Sequence, residues 1–403
     1  MRILVLAPRA PFPADYGAAQ RNLMILQWLS RQNQVTLLAY GNPSDETVKT
    51  ALESTGAAVH IVALERRSLA KRLQTLLLSI EPDLARRLWS VEFNRRLSRL
   101  LNENSFDLVQ IEGLEMYDAW ALARQALTLL PRVILDEHNA ETSLQESAWR
   151  NSVRQRSFAS AAYSLVQAGR LHQFERQACH SVDGVIDVSS EDDASLQAVA
   201  PGLRSVVIPN GVDTEYYRRK DNVGEDASIL FIGKLDYRPN IDAVEWLVKD
   251  IWPGIRQTIP EGRLNVVGRD PSSRITKLEF HAGVRVIGPV IDERPWFERA
   301  AVLAVPMRMG GGVRLKVLQA LAIGTTIVST SFGMSGVNAL DGVHYLRADS
   351  PAEFASQVAR ALGDRALRAR LGDAGRALVC DSFDWRVLLP RLDQFHREIM
   401  SEV

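Results

Sequence analysis

The sequence predicts an α/β protein of two domains, each built on a doubly wound parallel sheet, and three observations lead there. Short apolar runs recur along the chain, each ended by turn residues and followed by a helical pattern. These Val/Ile/Leu runs are continuous rather than alternating, which marks strands covered on both faces. The chain has 403 residues, and single cores rarely grow beyond roughly 250–300 residues.

The first set of strand runs is 3–6, 35–39, 59–62, 108–111, 133–135 and 185–188; the second is 206–208, 229–232, 264–267, 284–287, 302–305 and 326–328. The break falls where Val206-Val207-Ile208 meets Pro209-Asn210-Gly211, because proline followed by Asn-Gly stops a strand and turns the chain. The expected domains are 1–205 and 206–382, with a final amphipathic helix over 383–403 that carries Trp385, Leu388, Leu392 and Phe395.

Composition narrows the class. Hydrophobic residues make up 46% and charged residues 24%, as in ordinary folded domains. A net charge of +0 gives no global attraction to nucleic acid. Cys179 and Cys380 lie far apart and outside any CxxC pair, which predicts two reduced thiols in a cytoplasmic protein and no zinc site. The apolar run at 1–7 ends at Pro8 and reads as a buried strand, not a signal peptide. No stretch reaches the ~18 apolar residues of a membrane span. Residues 66–100 interleave Arg66, Arg67, Lys71, Arg72, Arg86, Arg87, Arg95, Arg96 and Arg99 with leucines and aromatics. This basic amphipathic pattern fits a solvated helix face, or peripheral contact with the inner face of a membrane or an anionic acceptor.

The segment Gly310-Gly311-Gly312-Val313-Arg314-Leu315-Lys316 carries the clearest chemistry. It joins a strand to a helix. Glycines there let the backbone approach a ligand, the helix start offers unpaired N–H groups, and Arg314 and Lys316 add cations. Together they favour a phosphate. No Gly-Lys-Ser/Thr follows, so this is no Walker loop, and the first strand lacks GxGxxG, which argues against a dinucleotide-binding dehydrogenase. Gly233 and Lys234 end the strand run 229–232, at the carboxyl edge where open α/β sheets bind ligands. In the first domain, the loop 13–17 offers Gly17 for backbone approach and leads into a helix with Arg21 and Asn22. Asp136-Glu137-His138-Asn139 follows the run 133–135; His138 is placed to act as an acid, a base or a hydrogen-bond donor, and Asp136 or Asn139 as a site residue or a helix cap. Ser190 and Asp193 read as a capping box. No metal site is expected.

In order and spacing these motifs, with Val207-Ile208-Pro209-Asn210-Gly211-Val212-Asp213 and the stretch from Gly310 to Gly324, resemble the GT-B glycosyltransferases, specifically glycosyltransferase family 4. The resemblance spans nearly the whole chain. It implies the GT-B fold: two Rossmann-like domains facing an interdomain cleft, an acceptor-side domain first, a donor-binding domain second, and the last helix packed back on the first. It also implies transfer from a nucleotide-sugar co-substrate (UDP-, GDP- or dTDP-sugar) to a carbohydrate or lipid-linked acceptor, with retained configuration, no obligatory metal and no other cofactor. By position, Lys234 and Lys316 fall on the donor diphosphate, Gly17 on the donor phosphate from the first domain, and His138 beside the transferred sugar. Arg21, Asp136, Asn139, Gly233, Arg238, Gly310, Gly311, Gly312 and Arg314 complete the expected site. Two glutamates common in the family are replaced here by Gly311 and Gln319, and a basic residue by Pro239 beside Arg238. Gln319 leaves open a non-catalytic nucleotide-sugar-binding homologue supporting another transferase; the other alternative is a nucleotide-sugar 2-epimerase, against which Gly311 speaks because that class needs acidic residues converging on the sugar.

Overall fold

The computed structural model describes residues 1–14, 16–65, 68, 75, 79, 81–154, 158–220, 226–310 and 312–401. Gly311, and Arg66, Arg67, Lys71 and Arg72 of the basic stretch, lie outside them. The chain forms two compact units: Met1–Pro209 with Leu389–Val403, and Asn210–Leu388.

The first unit holds a seven-stranded parallel sheet in the order β3-β2-β1-β4-β5-β6-β7. Its strands are β1 (Arg2–Ala7), β2 (Gln34–Gly41), β3 (Ala58–Ala63), β4 (Leu108–Glu112), β5 (Arg132–Glu137), β6 (Gly184–Asp187) and β7 (Ser205–Val207). The central strands β1, β4 and β5 are buried almost end to end, including the polar Gln110, Glu112, Asp136 and Glu137 of β4 and β5. The run at 206–208, expected to open the second set, instead closes this sheet as β7 beside β6. Phe395 and Ile399 of the helix Trp385–Ser401 press on Gly184, where a Cβ would meet the Phe395 ring at 2.5 Å. Trp28 Nε1 donates to Asp393 at 2.9 Å.

The second unit holds six parallel strands in the order β10-β9-β8-β11-β12-β13: β8 (Asp226–Ile232), β9 (Arg263–Val267), β10 (Val284–Gly288), β11 (Ala300–Val305), β12 (Ile327–Ser329) and β13 (Leu346–Arg347). The two-residue β13 carries no apolar run and was not expected. β9 and β10 depart from the two-face rule: Leu264 and Val284 are buried, but Arg263 and Arg285 are exposed. One face of that sheet edge therefore stands open.

Part of the basic stretch is visible. Phe93, Leu97, Leu100 and Leu101 bury one face of the helix Val91–Glu103. Arg86 pairs with Glu81, Arg87 with Glu115 and Arg95 with Glu92. No helix among the described residues is long and apolar enough to cross a membrane. The helix after β6 is capped by Ser189, whose hydroxyl accepts from Asp192 N–H at 3.0 Å, rather than by Ser190. Asp192 is held independently by Ala140 N–H, which sets the helix start one residue earlier.

Candidate functional site

At the carboxyl end of the first sheet, β5 runs two residues further than its apolar core, through Asp136 and Glu137. Asp136 is fully buried and receives two hydrogen bonds from the buried Arg21, at 3.0 and 2.9 Å. Arg21 also donates to the Ile208 carbonyl at 2.8 Å. One helical turn before it, Gly17 opens the helix Gly17–Leu29. His138 lies just past the strand, 17% exposed, its Nε2 at 3.4 Å from a carboxylate oxygen of Glu112. Glu112 ends β4, is buried, and accepts from Gln110 Nε2 at 2.7 Å. With its amide turned so that nitrogen faces acceptors, Asn22 donates to Glu112 at 3.1 Å. Asn139 is half-buried on the turn before the helix Glu141–Arg154.

Electrostatics tie this group together. Burial raises the Glu112 carboxyl above its ordinary range, as does the Asp136 charge, while His138 and Arg21 oppose them. Burial pulls the His138 imidazole down, but the Glu112 hydrogen bond and the Asp136 charge outweigh it and leave it above its ordinary value. The turned Asn22 amide also lies 3.3 Å from His138 Nε2, so Asn22 and Glu112 meet at that nitrogen. Ligand atoms of Glu112, Asp136 and His138 lie within 4.8 Å of one another, a spacing that suits a cation. Their lone pairs are already engaged by Arg21, Gln110 and the imidazole–carboxylate contact, so a metal would compete with bonds already in place.

In the second unit, Lys316 lies in the first turn of the helix Leu315–Ile323. Its ammonium donates to Asn240 Oδ1 at 3.0 Å and sits 4.3 Å from the centre of the Phe231 ring. Asn240 Nδ2 in turn donates to the Lys234 carbonyl at 2.9 Å, which locks the turn after β8. Gly233 leaves room above the ammonium. A Cβ there would stand 2.8 Å from Lys316 Nζ and 2.9 Å from Asn240 Nδ2, and its φ of +150° disfavours any side chain. Burial pulls the Lys316 amine down to about 7; Arg314 adds to the fall and Glu293 opposes it. Burial likewise lowers Arg314 to about 10. Its guanidinium packs over Phe332 and its Nη2 has no partner. Two cations thus lie at one helix start with little compensating charge. Glu293 provides some, and burial raises its carboxyl in spite of Lys316 and Arg269.

The remaining expected residues sit around this core. Lys234 is exposed and its ammonium turns to Asp236 at 3.2 Å and Asp270 at 4.0 Å; its backbone, not its side chain, joins the Asn240 bond. Arg238 begins the helix Arg238–Trp246 on the surface. Gly310 and Gly312 both take positive φ, +114° and +65°, as the glycine-rich turn demands. Gln319 is buried and donates to the Tyr217 hydroxyl at 2.7 Å.

Four participants escaped the sequence reading, Glu112, Tyr217, Asn240 and Glu293, while Asn22 was noted beside Arg21 without a role. Glu112 carried a signal, since it stands at a strand end before Gly113, the same placement as Asp136. Glu293 follows the turn after β10 in Asp292-Glu293-Arg294. Nothing local marked Tyr217 or Asn240.

Comparison with known proteins follows the same division. A family model described as Glycosyltransferase Family 4 matches residues 17–216, and one described as Glycosyl transferases group 1 matches residues 226–364. An uncharacterized 44.6 kDa protein in the cps region of Klebsiella pneumoniae is 20% identical over 368 residues, 89% of this chain and 90% of that one. Sucrose-phosphate synthase from Thermosynechococcus elongatus superposes with a TM-score of 0.73 at 16% identity, covering 100% of both chains. HepE of Anabaena, solved in complex with UDP and glucose, gives a TM-score of 0.67 at 14% identity over 98% of this chain and 99% of its own.

Proposed function

Because this chain is a GT-B glycosyltransferase that resembles family 4, we propose that it moves a sugar from a nucleotide-sugar donor to an acceptor hydroxyl with retained configuration. The setting is assembly of a polysaccharide, glycolipid or other glycoconjugate on a carbohydrate or lipid-linked acceptor. The observation that carries this is Lys316: a buried cation at a helix start, reached past a glycine and lacking a full counter-charge.

A donor diphosphate supplies that charge. As the glycosidic bond breaks, the sugar becomes oxocarbenium-like and the leaving nucleotide diphosphate gains negative charge. Fixed cations and helix N–H groups then stabilise the transition state more than the ground state. Lys316 and Arg314 are the cations on the phosphates, with Lys234 released from Asp236 as the third. His138, in contact with Glu112, hydrogen-bonds the transferred sugar. The leaving phosphate takes the acceptor proton, so neither a protein base nor a metal is required. HepE was solved with UDP, which makes UDP-sugars the first donors to try.

A second reading rests on Gln319, which sits where the family places a ribose-holding glutamate and is engaged by Tyr217. A binder without activity would retain donor affinity and lack turnover. The test is a thermal-shift screen with UDP-, GDP- and dTDP-sugars, then donor hydrolysis and transfer assays with and without EDTA, and NMR of the product anomer. Stabilisation by one donor class, EDTA-resistant turnover and a retained anomer are expected. An inverted anomer overturns retention. Donor binding that survives both Lys316→Ala and Lys234→Ala overturns the placement of the diphosphate.

A further inference from the structure

At the opposite end of the second sheet lies a cavity of about 630 Å³, within the ~300–1,000 Å³ range of small-molecule sites. Its floor is the open sheet face: Ser228 of β8 pairs in register with Arg263 of β9, and Asn265 of β9 with Arg285 of β10. Alternate residues of neighbouring strands point the same way, so these four side chains share one face. The helix Arg294–Arg299 closes one side with Trp296 and Arg299. Arg263 is the first residue of β9, whereas Gly233 follows the last residue of β8. Ser228 and Gly233 are therefore about 16 Å apart along the strand, at ~3.3 Å per residue, and the cavity is distinct from the Lys316 site.

The charge here is unusual for this unit. Several arginines of this unit are held by carboxylates: Arg274 by Glu245, Arg294 by Asp292, Arg308 by Asp242 and Arg386 by Asp384. Among the described residues, the guanidiniums of Arg263, Arg285 and Arg299 have neither an ion pair nor a hydrogen bond. Glu261 is the one acid lining the same cavity. Three unpaired forks around a hydroxyl and an amide, beside an indole and the apolar Ile287 and Pro295, match phosphate or carboxylate oxyanions attached to a ring.

We propose that this cavity is a second anion site, taking a small molecule that bears two or more phosphate or carboxylate groups on a ring-containing body. The assignment does not rest on the donor reading. The test is calorimetry on the full chain carrying Lys316→Ala, so that the donor site is weakened, with an inositol bisphosphate in one arm and a disaccharide of two glucuronates in the other. The arms separate phosphate from carboxylate ligands. Saturable one-to-one binding is expected in at least one arm, weakened about tenfold by each of Arg263→Ala and Arg285→Ala and weakened by 0.5 M NaCl, on the order of a few Å of screening length. Melting curves establish that the variants fold; Arg299→Gln, on the helix rather than the sheet, is the substitute where one does not. Absence of binding in both arms, or affinity unchanged in the arginine variants, overturns the proposal.

Discussion

Donor binding is expected to take up a proton at Lys316. Burial holds its amine at about 7 in the free protein, against 10.5 for an ordinary lysine. At about 1.4 kcal/mol per factor of ten, that displacement is worth about 5 kcal/mol, an upper bound because water still reaches part of the residue. A diphosphate beside Nζ favours the charged form and returns the pKa toward its ordinary value. At pH 7 the free amine is roughly half protonated, so a UDP titration takes up roughly half a proton, rising to nearly one by pH 8.5. At pH 9 only about one free molecule in a hundred carries the proton, and affinity falls about 50-fold from its value at pH 7. The window lies above the last phosphate ionisation near ~6, so the phosphates themselves do not titrate.

Calorimetry in Tris and in HEPES reads the uptake directly, since the buffers differ in ionisation enthalpy. Lys316→Arg keeps a charge at every pH and is expected to flatten the dependence; Lys316→Met is expected to flatten it and weaken binding throughout. The ligand-free protein behaves oppositely. The unfolded lysine holds its proton up to about 10.5 and the folded one only to about 7, so stability rises with pH across that window. Zero proton uptake, or equal uptake by wild type and Lys316→Met, would refute contact between this amine and the diphosphate.

Other outcomes follow from the same physics. Arg21→Ala leaves Asp136 charged and buried, and is expected to cost about 3–5 kcal/mol by urea unfolding, more than the Arg21→Met, Asp136→Leu double variant. Gly233→Ala pushes a methyl against Lys316 Nζ and Asn240 at a backbone φ of +150° and is expected to weaken donor binding by at least about tenfold and to lower the urea midpoint as well. His396 is buried with neither ring nitrogen partnered, and burial lowers it to about 4; the unfolded ring binds its proton first, so about 3 kcal/mol is lost as pH falls from 6.5 to 4, and His396→Phe is expected to remove that acid sensitivity. Burial, with Asp193 and Asp192, raises Asp187 to about 8; the folded state holds the proton longer, stability falls as pH rises toward 8, and Asp187→Asn is expected to reduce the fall between pH 6 and 8.5.

The two sheets were legible because a strand buried on both faces is mostly apolar, as β11 is throughout and β1 is from Ile3 onward. β7 was assigned to the wrong sheet because the break was placed before its apolar run, while the Pro209-Asn210-Gly211 turn follows it. β13 was missed because two residues make no pattern. β9 and β10 read as fully covered although Arg263 and Arg285 already broke the alternation. At the candidate site, Gly233 and Lys316 were visible since a strand-end glycine and a helix-start lysine each have a local reason to exist. Glu293, Asn240 and Tyr217 were not, because their roles come from proximity across dozens of residues. The sequence suggested Lys234 as a cation on the phosphate, but could not show its ammonium turning to Asp236.

The buried Arg21–Asp136 pair and the Lys316 amine are treated in different ways, and the difference bears on function. In the first, Arg21 and Asp136 neutralise each other and the guanidinium also bonds the Ile208 carbonyl. A pair that closes on itself fixes the turn from β5 and the end of the chain after β7, and removing one partner strands the other. In the second, Lys316 faces an amide oxygen and an aromatic ring, with Glu293 too far to form an ion pair and Arg314 repelling. Stability alone is better served by a neutral side chain at such a position, because an uncompensated buried amine costs several kcal/mol. The cost is offset when an anion enters past Gly233. On the donor reading proposed above, that anion is a diphosphate that gains charge during transfer, so the offset would grow along the reaction coordinate, which is the condition for catalysis rather than binding alone.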